Sequence, residues 1–109
     1  MAASSTDVLQ GTLDLLLLKT LSLEPMHGFG IARRIEQVSG GVFRVNPGSL
    51  LLAFRRLERD GLIDANWQTT EHNRRARIYK ITAKGRRRLA DEKSEWERRT
   101  LAMARVLDG

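Results

Sequence analysis

The sequence predicts an α+β fold, mainly α, with its elements in the order ααα-ββ-α, and three observations carry that expectation. Helical periodicity dominates residues 12–60 and returns over 83–107, two short alternating apolar segments lie between, and proline, glycine or capping residues bound each segment. The 109 residues suit one domain with an appended element and exclude a large two-lobed enzyme. Hydrophobic residues make up 41% of the chain but aromatics only 6%, so Leu, Ile and Val must fill most of the core.

Residues 1–8 are small and polar, which predicts a flexible tail. Thr12 is the expected N-cap of a first helix running to Leu23, in which Leu13, Leu15, Leu16, Leu17, Leu18 and Leu21 cover nearly the whole circumference. Such a helix must be covered on more than one side, either as the centre of a small bundle or by the core on one face and a partner chain on the other. Glu24-Pro25 ends it. A second helix is predicted from His27 to Ser39, with Ile31, Ile35 and Val38 on one stripe, and Gly40-Gly41 stops it. The third starts at Asn46-Pro47-Gly48-Ser49 and runs to Asp60, with Gly61 as its stop. At 100° per residue, Leu50, Ala53, Phe54 and Leu57 share one side, and Gly48, Leu52, Arg55 and Arg59 the other.

Residues 62–67 then alternate, with Ile63, Ala65 and Trp67 on one face, and residues 76–82 alternate with Arg77, Tyr79 and Ile81 on one face. The eight polar residues between, Gln68 to Arg75, predict an antiparallel hairpin with a long basic tip. Residues 83–107 form a proline-free helical segment in which Leu89, Trp96 and Met103 recur every seven positions, with Lys93, Thr100 and Leu107 interleaved.

The net charge of +6 is uneven. Residues 1–50 carry four basic and four acidic side chains, whereas His72 to Ala90 holds eight Lys or Arg and no carboxylate. That block is a solvated face or the footprint of a polyanion. The absence of cysteine removes disulfides and thiolate metal sites, and the N-terminal residues lack a secretory pattern, so the cytoplasm is the expected location. The run LDLLLLKTLSL is too short to span a bilayer and is interrupted by Asp14 and Lys19, so no membrane partner is expected. His27 and His72 sit in no metal-ligand spacing, the carboxylates form no acid/base pair, and HGFG is too short for a phosphate loop. Neither catalysis, nor a cofactor, nor a metal is expected.

A short helix, a tight connection and a helix that exposes arginines have the order of a helix-turn-helix unit, which points to double-stranded DNA as the partner. Ser49 at a helix N-terminus, where free N–H groups are expected, suits a phosphate or base edge. Arg55 can pair bidentately with guanine, while Leu52 can meet only an apolar group such as the thymine methyl. Arg74, Arg75 and Arg77 near the hairpin tip can follow the backbone or enter the minor groove.

These residues also carry a family resemblance. VNPGSLLLAFRRLERDGLIDANW, then NRRARIYKITAKGRRRL, and the preceding LQGTLDLLLLKTLSLEPMHGFGIARRIEQVSGG resemble the winged-helix PadR family of bacterial transcriptional regulators over nearly the whole chain. The resemblance implies a homodimeric repressor of pseudo-palindromic operators. It implies a winged helix-turn-helix domain over residues 9–83, with a recognition helix over 48–60 and a wing over 68–76, and a dimerisation helix over 84–109. Leu51, Arg56 and Asn73 thereby join Ser49, Leu52, Arg55, Arg74, Arg75 and Arg77 as expected DNA-binding residues. The chain departs from the family pattern GSLYPAL by placing leucine at 51 and 52, and from its usual tyrosine by placing Phe29 after His27-Gly28.

A homodimer follows from physics as well, because one reading helix covers few base pairs and two-fold symmetry doubles the contact. Leu13, Leu16, Leu17, Leu89, Trp96, Met103 and Leu107 are the expected interface. Trp96 has a second role open to it, since aromatics near this interface contact the small-molecule effector in family members that have one; packing is the favoured role. A non-catalytic basic module for anionic membrane surfaces or RNA is the alternative function. Against it stand the carboxylates Asp91, Glu92, Glu95 and Glu97 directly after the basic run, and the lack of an aromatic RNA-binding sheet motif.

Overall fold

The computed structural model describes residues 10–109; the tail expected over 1–8 lies outside them. The elements are α1 (Gln10–Leu23), β1 (Met26–His27), α2 (Gly28–Val38), α3 (Pro47–Arg59), β2 (Ile63–Thr69), β3 (Arg75–Ile81) and α4 (Ala83–Asp108). Helices dominate, and the sheet is a three-stranded antiparallel one in the order β1-β3-β2. This is a winged helix with a long C-terminal helix appended.

Three local expectations are corrected. α1 is already helical at Gln10, so Thr12 is a helical residue and not its cap. Glutamine is a good helix former, and the cost of Gly11, about 1 kcal/mol against alanine, is offset by the leucines that follow. The third strand, β1, pairs Met26 with Tyr79 and His27 with Ile78. With β1 at 26–27, α2 starts one residue late, and His27 caps it by accepting the Gly30 N–H on Nδ1 at 3.1 Å. The hairpin pairs further out than expected, to Thr69↔Arg75, so its tip shrinks to residues 70–74.

The core forms around α1. Leu13, Leu17, Leu18 and Leu21 meet Ile31 and Ile35 of α2, Leu50, Ala53, Phe54 and Leu57 of α3, and Ile63, Tyr79 and Ile81 of the sheet. The predicted inner face of α3 is therefore the buried one. The hairpin faces agree as well: Ile63 opposes Ile81, Ala65 opposes Tyr79, and Trp67 opposes Arg77. Burial fades along that face from Ile63 to an exposed Trp67, because the outer half of the hairpin extends past the core.

α4 is fixed at its start and free at its end. Thr82 caps it by accepting the Gly85 N–H on Oγ1 at 3.0 Å, and donates that hydroxyl to the Gly61 carbonyl at 2.7 Å. Lys84 reaches the Asp60 carbonyl at 2.8 Å and Arg86 the Ser22 carbonyl at 3.4 Å. Leu89 packs against the core, and the molecule measures 57 Å along its longest axis.

Candidate nucleic-acid interface

Two helix starts and the hairpin tip converge on one side of the molecule. Asn46 builds the first turn of α3: its Oδ1 accepts the N–H of Gly48 at 2.8 Å and of Ser49 at 3.2 Å, while its carbonyl accepts the N–H of Leu50 at 2.9 Å. Pro47 has no N–H to offer. The free N–H groups expected at this helix start are thus already donated, and Ser49 presents its hydroxyl instead. Asn46 was readable, since asparagine before Pro-Gly-Ser is a strong N-cap signature.

The wing is organised by its turn. Thr70 N–H donates to the Arg74 carbonyl at 2.7 Å, Asn73 N–H to the Thr70 carbonyl at 2.9 Å, and Arg74 N–H to Thr70 Oγ1 at 3.2 Å. Asn73 adopts a left-handed conformation at φ 58°, which asparagine tolerates better than most residues. Between wing and helix starts lies a groove of about 510 Å³, lined among others by Phe29, Pro47, Leu51, Thr70, Arg74 and Arg75. Its floor is the Phe54–Tyr79 pair, stacked with ring centroids 4.0 Å apart. Burial raises the Tyr79 phenol above its ordinary value; Arg77 opposes that shift, Glu58 adds to it, and Arg55 opposes it more weakly.

The expected DNA-binding residues divide into two sets. Ser49, Leu51, Leu52, Arg55, Asn73, Arg74 and Arg75 are all exposed on this side. Arg55, Arg74 and Arg75 join no ion pair among the described residues. Arg56 and Arg77 are instead tied within the chain: Arg56 meets Asp14 of α1 at 2.8 Å, and Arg77 grips both oxygens of Glu58 at 3.0 and 3.3 Å. The helix geometry explains both. With Leu50, Ala53, Phe54 and Leu57 on the core, Leu52 and Arg55 fall at the outer pole, Glu58 on the wing side and Arg56 on the α1 side.

Two residues on this side stand outside the expected DNA-binding set. Trp67 stacks under the Arg75 guanidinium, 4.8 Å from the ring centroid, with Arg77 at 5.6 Å. Its register opposite Arg77, two residues from Arg75, was the available signal. Phe29 is 84% exposed at the start of α2, where an aromatic ring would ordinarily be buried. The basic run Lys84 to Arg88 is largely committed within the chain: Lys84 and Arg86 anchor α4, and Arg88 pairs with Glu92.

The transcriptional regulator PadR-like family model matches residues 17–91. The chain belongs to the PadR-like family. Among solved structures it is similar to a transcriptional regulator from Clostridium thermocellum, with a TM-score of 0.82 and 26% identity, over 92% of this chain and 97% of that one. A PadR-like regulator from Bacillus cereus superposes with a TM-score of 0.79 at 22% identity, over 92% and 95% of the two chains. An uncharacterized protein, X, from Lysinibacillus sphaericus is 25% identical over 84% of both chains. Family and structural neighbours are transcriptional regulators, generally non-enzymatic, which makes this chain a PadR-like regulator of transcription. No helix among the described residues is long and apolar enough to cross a membrane.

The expected dimer residues also divide. Leu13 and Leu17 are core residues, 3% and 0% exposed, and are withdrawn from any interface with a partner: α1 turns that stripe toward α2 and α3. Leu16 and Leu89 stay partly open, and with Leu15, Phe43 and Trp96 they line a cleft of about 230 Å³ between α1 and α4, with Lys19 and Lys93 at its rim. Trp96, Met103 and Leu107 are exposed along α4, as are Leu101 and Val106 off the heptad stripe. α1 is therefore both the centre of the bundle and, on its Leu15–Leu16 side, a wall open to solvent in a single chain.

Proposed function

We propose that this PadR-like regulator is a homodimeric repressor that binds a pseudo-palindromic operator through α3 and the wing. The observation that carries it is the pair Arg74 and Arg75, free of ion pairs among the described residues, on a groove beside the start of α3, with an exposed Arg55 on the outer face of that helix. Within this reading Leu52 and Arg55 face base edges, Ser49 approaches a phosphate, and Arg74 and Arg75 follow the backbone beside α3. Arg56 and Arg77 hold the reading helix against α1 and the wing. The open cleft and the exposed stripe of Trp96, Met103 and Leu107 take the same surfaces of a second copy, with Trp96 as the anchor. A small-molecule effector would occupy what the partner leaves open of that cleft, whose apolar walls meet Lys19, Lys93 and Glu97.

The test is the salt dependence of binding to a duplex from the promoter beside the gene. Replacing Arg74 and Arg75 with alanine should weaken binding and flatten the log–log salt slope by about 0.9 for each phosphate no longer neutralised. Met103→Glu with Leu107→Glu should convert a dimer to a monomer in sedimentation and weaken operator binding. An unchanged salt slope overturns the wing assignment, and a wild-type chain that sediments as a monomer overturns the dimer.

A further inference from the structure

The outer pole of α3 carries an apolar strip where a DNA-reading surface is ordinarily polar. Leu52 is 56% exposed, Leu51 48%, and Phe29 continues the strip toward the wing groove. No patch of the core needs these side chains, and exposed arginines surround them: Arg55 one turn along α3, Arg74 and Arg75 across the groove. The surrounding charge is complementary to DNA, which fixes the kind of partner that covers the strip.

What a leucine can meet in a major groove is restricted. Guanine, adenine and cytosine present hydrogen-bond donors and acceptors there, whereas thymine adds a C5-methyl group. Leucine pressed on a polar edge strips water from it and returns no hydrogen bond, which is a cost. Pressed on the thymine methyl, it removes apolar surface from water on both sides, which is a gain. The two outcomes have opposite signs, so leucine at this position discriminates. Resting on the DNA-binding reading above, we propose that Leu52, flanked by Leu51, reads the C5-methyl of a thymine beside the base edge within reach of Arg55, and so requires thymine at that position of each half-site.

The test uses the full chain and duplexes it enriches from a random library. In the enriched half-site, each thymine is replaced in turn by deoxyuridine, which removes the methyl and leaves base pairing intact. One position per half-site should lose about fourfold in affinity, the equivalent of roughly 0.8 kcal/mol for one buried methyl group, and the loss should vanish in Leu52→Ala. Leu52 is exposed, so that variant should melt like the parent; the deoxyuridine scan on the unaltered chain stands without it in any case. Enrichment of a duplex that tolerates deoxyuridine everywhere overturns the methyl reading alone, as does a penalty that persists in Leu52→Ala. Failure to enrich any duplex overturns the DNA-binding reading, and the methyl reading with it.

Discussion

The Arg75 guanidinium lies over the Trp67 ring at 4.8 Å, so the charge at the edge of the wing is held in place by its own hairpin. Trp67 opposes Arg77 in the strand register, and Arg77 is in turn held by Glu58, which links the wing's aromatic to α3. A cation–π contact at an exposed site contributes about 0.5 to 1 kcal/mol. Trp67→Ala should therefore weaken operator binding by about two- to fivefold at fixed salt, because the arginine is no longer pre-positioned. Its salt slope should stay that of the parent, because the charge remains. Anisotropy titrations at several salt concentrations check this, and a flattened slope would mean that Trp67→Ala had removed phosphate neutralisation altogether.

Asp14 and Arg56 form a second link, between α1 and the α1-facing side of α3, at 2.8 Å and largely shielded from solvent. Nε of Arg56 is buried without a partner among the described residues, so the guanidinium depends on this carboxylate. Asp14→Ala should cost about 1.5 to 3 kcal/mol, as for a hydrogen bond to a charged group whose partner is left behind. Asp14→Leu combined with Arg56→Met should cost less than Asp14→Ala alone, because replacing both partners by apolar groups leaves no stranded charge. Urea unfolding midpoints of the parent and the two variants decide it; a double variant weaker than Asp14→Ala would mean that the pair does more than neutralise itself.

Which parts of this molecule were legible in sequence follows from the range of the forces involved. The four helices and the hairpin are written in local periodicity: Leu50, Ala53, Phe54 and Leu57 identify the inner face of α3 wherever the rest of the chain lies. β1 has two residues, and only β3, some fifty positions later, makes it a strand. The arginines show the same division. Arg55, Arg56, Arg74, Arg75 and Arg77 look alike in sequence, and what separates them is a partner 42 residues away for Arg56 and 19 away for Arg77. The apolar circumference of α1 was legible, but not which of its leucines the core would take: the structure assigns Leu13 and Leu17 inward and leaves Leu15 and Leu16 at the cleft.

Tyr79 gives the fold an alkaline limit. Burial pushes its phenol above the ordinary 10.0, with Arg77 opposing, Glu58 adding and Arg55 opposing. Below that ordinary value the tyrosine is neutral in folded and unfolded chains alike, and its contribution is complete. As pH rises past it, the unfolded chain loses the proton first, so stability falls until the pH passes the raised folded value. Tyr79→Phe has no proton to lose. Comparing urea midpoints at pH 8 and pH 11, the parent should lose more stability than Tyr79→Phe over that interval. Equal losses would assign the alkaline limit to other groups.

Gly85 sets the angle at which α4 leaves the domain. A Cβ at this position would lie 2.1 Å from the Leu62 carbonyl oxygen and 2.8 Å from Cγ1 of Ile81. The same Leu62 carbonyl accepts the Thr82 N–H at 3.1 Å, so the backbone cannot retreat without opening the cap of α4. In an open helix, glycine to alanine would stabilise by about 1 kcal/mol. Here the sign should reverse, and Gly85→Ala should destabilise by about 2 to 3 kcal/mol, at the upper end of the usual cost of forcing extra atoms into a packed site. The consequence extends to DNA binding if α4 joins two copies, because a tilt at residue 85 changes the separation of the two reading helices and hence the half-site spacing they match. Gly85→Ala should then lose affinity for the enriched palindrome while tolerating a changed spacer length better than the parent does. Unfolding midpoints and binding to a series of spacer lengths check the two halves; an unfolding midpoint equal to or above the parent's would show that α4 is not pinned at Leu62.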